Sequence, residues 1–160
     1  MSSLGSFTKF LPDEAATVAA GSAIGRALNA GCVVFLIGEL GAGKTTFTRG
    51  ALRALGHAGS VKSPTYTLCE PYDFAEAGQI CHLDLYRLSN PEELEFLGIR
   101  DYIASGAILF IEWPLKGEGW LPVPDLQVAL HESGDGRQLT INALTTQGED
   151  LLVRMGGHRA

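Results

Sequence analysis

The stretch Gly38-Glu39-Leu40-Gly41-Ala42-Gly43-Lys44-Thr45 has the residue types and the spacing to cradle phosphate groups. It fits G-x-x-x-x-G-K-[ST], and it lies where that motif works, after an apolar run (Cys32 to Ile37) and before a helix-prone segment (Thr46 to Leu55). Gly38, Gly41 and Gly43 accept backbone angles that a Cβ would forbid, so successive N–H groups can converge on an anion. A helix beginning near Gly43 adds its unsatisfied N–H groups and its positive dipole end. Lys44 would reach the β- and γ-phosphates, and the Thr45 hydroxyl would take a place on Mg²⁺. The candidate nucleotide contacts are therefore Gly38, Glu39, Leu40, Gly41, Ala42, Gly43, Lys44, Thr45 and the following Thr46.

A bound nucleoside triphosphate also needs its metal held from a second side, by an acid at the end of a neighbouring apolar strand. Ile108-Leu109-Phe110-Ile111-Glu112 fits, with Glu in the place usually taken by Asp. Glu112 could ligate Mg²⁺ through water or orient an attacking water; a carboxylate capping a nearby helix is the plainer alternative. Asp84 follows the less purely apolar Ile80-Cys81-His82-Leu83 and is a second candidate metal ligand. Strand alternation puts His82, Asp84 and Tyr86 on one face, a pattern that either a site or a solvated hairpin would produce. Thr65, in Ser63-Pro64-Thr65-Tyr66, stands where switch loops place a threonine that senses the γ-phosphate, although such a run is also a common turn. Trp113 at a strand end could face a nucleotide or a partner, or be an aromatic at the edge of the core.

The elements that must position these residues follow from the pattern. Pro12-Asp13 starts a helix with Asp13 as N-cap, and Ala16, Ala20, Ala23, Ile24, Ala27 and Leu28 form its apolar face, dense in small residues suited to tight packing on a sheet. Phe7 to Phe10 suggests an edge strand. Thr67 to Phe74 and Gln79 to Leu85 read as a β-hairpin inserted after the phosphate-loop helix. Two short helices follow Ser89-Asn90-Pro91, broken at Gly98. Ala107 to Ile111 is a buried strand parallel to the first, and Leu126 to His131 and Gln138 to Ala143 flank a Gly-Asp-Gly turn. The expected fold is α/β: a three-layer sandwich of the P-loop NTPase kind with a mainly parallel central sheet. It is a single domain over 1–160, with a core of about 12–143 and a tail, 144–160, expected to fray despite a helical hint at Leu151 to Met155.

A net charge of −6 argues against a surface that grips a polyanion by itself, since nucleic-acid binding needs a basic face. Three cysteines form neither a disulfide framework nor a C-x-x-C pair; Cys69 and Cys81 sit in neighbouring strands and could approach each other. No signal peptide or membrane-spanning stretch is visible, and a cytoplasmic protein is expected.

Taken together, the phosphate loop, Ser63-Pro64-Thr65-Tyr66, His82-Leu83-Asp84-Leu85-Tyr86-Arg87-Leu88 and Ile111-Glu112-Trp113-Pro114 closely resemble one family. It is TsaE, also called YjeE, the bacterial ATPase subunit of the tRNA threonylcarbamoyladenosine machinery. The resemblance spans about Pro12 to Ala143. It implies ATP hydrolysis with Mg²⁺, and assembly with TsaD and TsaB, which hold the transferase site and the tRNA. It also implies that Lys44 and Thr45 contact phosphate and metal, that Asp84 and Glu112 form the metal and hydrolysis site, and that Trp113 completes an essential Glu-Trp pair. Residues after Ala143 match no motif of the family.

Three other readings compete. A signalling GTPase needs Asn-Lys-x-Asp to read guanine, and no Asn-Lys occurs. A small-molecule kinase closes an arginine-bearing lid, whereas the eight arginines here are scattered along the chain. A nucleotide-dependent binding module without turnover has no sequence feature that separates it from an ATPase.

Overall fold

The computed structural model describes residues 2–160. The elements run β1 (Gly5–Leu11), α1 (Glu14–Ala27), β2 (Val33–Ile37), α2 (Lys44–Ala54), β3 (Cys69–Phe74), β4 (Gly78–Asp84), α3 (Glu93–Phe96), α4 (Ile99–Ala104), β5 (Ile108–Glu112), β6 (Leu126–Ser133), β7 (Gly136–Ala143), α5 (Thr146–Arg154) and β8 (His158–Arg159). All the strands join one sheet in the order β3-β4-β5-β2-β6-β7-β1-β8.

The sheet is mixed rather than mainly parallel. Parallel pairing holds for β4 with β5, β5 with β2, and β2 with β6; the other four pairings are antiparallel. The reason is the length of the connections. Gly134-Asp135 joins β6 to β7 directly, and so short a link can only reverse the chain, whereas parallel neighbours need a crossover. In the β3–β4 pair, β4 is itself a strand of the parallel set and only β3 lies outside it.

Side-chain alternation sends the two faces of the parallel strands into separate cores. Val34, Leu36, Phe110 and Val128 pack with Ile24 of α1, and Phe47 and Leu52 of α2. Val33, Leu83, Leu109 and Ile111 pack with Leu94 and Ile99 beneath α3 and α4. Helices thus cover both faces of the parallel half, while β7 alternates buried and half-buried residues as a strand covered on one face does.

α1 starts where the capping residue says it should: Asp13 accepts the Ala16 N–H at 2.9 Å. Its small residues serve α2 rather than the sheet alone. A Cβ on Gly21 would stand 2.0 Å from the Phe47 carbonyl oxygen, and one on Gly50 would stand 2.2 Å from that of Val18. This backbone-to-backbone approach holds α2, and so the phosphate loop at its start, against α1.

The tail expected to fray is folded. Thr145 caps α5 by accepting the Gly148 N–H at 3.0 Å and donates to Asp125 at 2.5 Å, while Asp125 also accepts the Val33 N–H at 2.8 Å. Leu151 and Leu152 are fully buried, and β8 pairs with Gly5 and Ser6. The pattern was weak because only two adjacent leucines of a short helix face inward, and Gly148, set against the Asp125 carbonyl, lowers its helix propensity. Leu151→Ala should therefore cost about 2–5 kcal/mol in urea unfolding, as a buried leucine does. A loss below about 0.5 kcal/mol, typical of an exposed site, would mean that α5 does not belong to the core.

Candidate nucleotide and metal site

The loop between β2 and α2 has the backbone its glycines predict. Gly43 takes φ 105° as N-cap of α2, and among the described residues no side chain caps the first N–H groups of that helix. Gly38 leaves no room for a Cβ, which would stand 2.5 Å from the Leu130 carbonyl oxygen. Lys44 is buried and folded back onto the loop: its Nζ donates to the Gly38 carbonyl at 2.5 Å and lies 4.0 Å from the centre of the Trp113 ring. Burial lowers the Lys44 pKa, against the opposing pull of Glu112, Asp84 and Glu39.

The two candidate acids come together. β4 and β5 run parallel with Asp84 opposite Glu112 at their carboxyl ends, and each residue is only 3% exposed. Thr45 at the start of α2 points its hydroxyl at Glu112 Oε2, 3.4 Å away. His82, with no exposed surface, meets the same oxygen through Nε2 at 2.6 Å. The polar face of β4 is therefore buried, not a solvated hairpin face.

Asp84 collects the switch-like segment. Ser63 and Thr65 donate to its Oδ2 at 2.7 and 3.3 Å, and the Tyr86 N–H donates to Oδ1 at 3.0 Å. Lys44, Thr45, Thr65, Asp84, Glu112 and Trp113 thus line one cleft of about 410 Å³. Thr46 lines the cleft too and also reaches a second cavity of about 260 Å³, on the α1 side of the loop with Asp13, Thr17 and Arg137. Glu39 lines neither hollow, whereas Leu40 borders the cleft with much of its side chain exposed. Trp113 packs on Lys44 and on Tyr86, with ring centres 5.0 Å apart, and its φ of 57° is rare for a bulky residue.

Similarity to known proteins places the chain in a family. The family model described as threonylcarbamoyl adenosine biosynthesis protein TsaE matches residues 11–139. The chain is a member of the TsaE family. It is 45% identical over 152 residues to the tRNA threonylcarbamoyladenosine biosynthesis protein TsaE of Haemophilus influenzae, covering 92% of this chain and 96% of that protein. It is 36% identical over 129 residues to the protein of the same name from Bacillus subtilis, 80% of each chain. The crystal structure of Bacillus subtilis YdiB superposes with a TM-score of 0.82 at 27% identity, covering 98% of this chain and 97% of that one.

Within this TsaE-family fold, two of the eight arginines come near the loop, Arg87 in the cleft and Arg137 on the loop carbonyls. Arg87 lines the cleft, its guanidinium 4.7 Å above the ring of the exposed Tyr66. Arg137, on β7, donates from Nε to the Ala42 carbonyl at 3.1 Å and from a terminal nitrogen to that of Gly41 at 3.2 Å. No local pattern could have linked a strand residue to a loop 95 positions earlier. Cys69 and Cys81 do approach each other, on the α3–α4 face: a hydrogen bond from Cys81 lowers the Cys69 pKa and raises that of Cys81. The fully buried Cys32 is pushed up to about 12 by desolvation.

If Arg137 braces the loop, Arg137→Ala should speed amide hydrogen exchange at residues 40–44 by about five- to thirtyfold, the loss expected for one to two hydrogen bonds of about 1 kcal/mol each. Exchange in α5 should not change. Equal rates in the loop would show that Arg137 does not hold it.

Proposed function

We propose that this chain is a Mg²⁺-dependent ATPase serving tRNA threonylcarbamoyladenosine formation as an accessory subunit of a TsaD–TsaB complex, with tRNA held by those partners. The observation that carries the reading is the meeting of Lys44, Thr45, Asp84 and Glu112 in one cleft of a TsaE-family chain. The names of its relatives point to the pathway, and the strand–loop–helix around Gly38 to Thr45 points to the nucleotide.

The residues fit a hard divalent cation. A hydroxyl and two carboxylates, all oxygen donors, suit Mg²⁺, which characteristically takes few protein ligands and completes its shell with phosphate and water. Thr45, Asp84 and Glu112 would hold it, directly or through water, and when bound it would neutralise charge on the β- and γ-phosphate oxygens. The loop N–H groups bind the phosphates. Lys44 exchanges its contact with the Gly38 carbonyl for phosphate oxygens. Glu112 orients the attacking water. The cavity beyond Thr46 supports a nucleoside site next to Thr17 and Arg137, and the acidic surface suits a subunit that docks on a tRNA-binding partner.

One observation favours a nearly idle free chain, close to a binding module. Lys44 is already engaged by Gly38 and Trp113, and the Arg87 guanidinium is stacked on Tyr66. Turnover by the isolated chain should be slow and should rise when TsaD and TsaB are added; vigorous turnover alone would contradict this. Lys44→Ala should weaken nucleotide binding at least about tenfold in a fluorescent-nucleotide titration, the loss expected for a charge-assisted contact. Glu112→Ala should keep nucleotide binding at saturating Mg²⁺ and lower hydrolysis about 10²- to 10⁴-fold. Normal hydrolysis by Glu112→Ala would overturn the role given to that residue.

A further inference from the structure

We infer that His82 is a positioning residue for Glu112, locking one carboxylate oxygen so that the other faces the cleft. The inference rests on the role proposed above for Glu112. A carboxylate only accepts, so His82 Nε2–H donates to Oε2 across 2.6 Å. Thr45 addresses the same oxygen from the other side, at 3.4 Å. Oε1 has no hydrogen bond among the described residues and is not among the buried unpartnered atoms, so it is the oxygen open to the cleft that Glu112 lines.

The other end of the imidazole shows that the contact is not incidental packing. Nδ1 is buried without a partner. The ring lies beside Phe110 in register, on the strand face that also carries the buried Ile80. An apolar side chain there would fill the space without stranding a polar atom, so the unfavourable half of the ring is offset by what Nε2 does. The strand geometry supplies the aim. His82 and Asp84 are two apart on β4, so they share a face, and Glu112 stands opposite Asp84 on β5. One strand therefore contributes both a candidate metal ligand and the group that orients its neighbour, as hydrogen bonds to metal-binding carboxylates commonly do.

Three measurements test this. In the wild-type chain labelled with ¹⁵N-histidine, the buried imidazole should show Nε2 protonated and Nδ1 not, and the Nε2 proton should be lost or shifted in Glu112→Ala. A protonated Nδ1 with bare Nε2, or a signal that ignores Glu112→Ala, overturns the proposal without any reference to activity. His82→Leu should then lower hydrolysis about 10- to 100-fold and raise the Mg²⁺ needed for tight ADP binding by a similar factor, with ADP binding unchanged in the absence of Mg²⁺. His82→Gln, whose amide reaches the position of Nε2, should recover most of both losses. A folded His82→Leu with wild-type turnover and Mg²⁺ dependence, or a His82→Gln no better than His82→Leu, overturns it. If the wild-type chain binds no nucleotide, the function proposed above fails, and the imidazole resonances still decide whether His82 holds Glu112.

Discussion

Two carboxylates buried side by side are the constraint on which the rest of the molecule depends. The parallel register of β4 and β5 places Asp84 against Glu112, each almost without exposed surface. Burying such groups is unfavourable unless donors and opposite charge surround them. The donors are present: Ser63, Thr65 and the Tyr86 N–H on Asp84, and His82 and Thr45 on Glu112. Compensating charge falls short, because Lys44 is one buried cation against two acids. The divalent cation proposed above would supply the missing charge, and the all-oxygen donors suit a hard one.

That constraint explains why the helical layer is packed so closely. Thr45 must meet Glu112, 67 positions away in sequence, so the start of α2 has little freedom to move. Gly21 and Gly50 let α1 and α2 touch backbone to backbone, and Arg137 fastens the loop carbonyls from β7. α5 contributes from farther off: its cap Thr145 bonds Asp125, and Asp125 bonds the first residue of β2, the strand that feeds the loop.

The parts of the site that were legible in sequence share a physical cause. The phosphate loop is contiguous, so its glycines, lysine and threonine announce a backbone shape locally. Asp84 and Glu112 end apolar runs, and strand alternation assigns them a face. Arg137 was not legible, because a β-strand arginine acquires meaning only when β7 folds over the loop. The burial of His82 was equally hidden, since alternation gives a face but not what covers it. The antiparallel half of the sheet could be anticipated only in part: the Gly134-Asp135 turn implied a hairpin, but where that hairpin joins the sheet is set by tertiary pairing. The small residues of α1 were visible as a reason for close packing, yet the share of it that goes to α2, in addition to the sheet, was not.

Backbone strain is concentrated on the same cleft. Among the described residues, Leu68 and Trp113 are the non-glycine residues with positive φ, a conformation that costs about 1–3 kcal/mol and persists only where surroundings enforce it. Both border the acids. Leu68 closes the turn from Pro64 and accepts the Asp84 N–H at 3.0 Å, which ties the Ser63–Thr65 segment to the end of β4. Trp113 follows Glu112 directly and turns the chain so that its ring lies under the Lys44 ammonium. Leu68 thus adjoins Asp84 through the backbone, and Trp113 adjoins Glu112 and lines the cleft. Ser63 and Thr65 also spend their hydroxyl protons on one oxygen of Asp84, so any ligand that draws on that oxygen must loosen the segment they belong to. Asp84 and the segment that carries the exposed Tyr66 are thereby linked through hydrogen bonds.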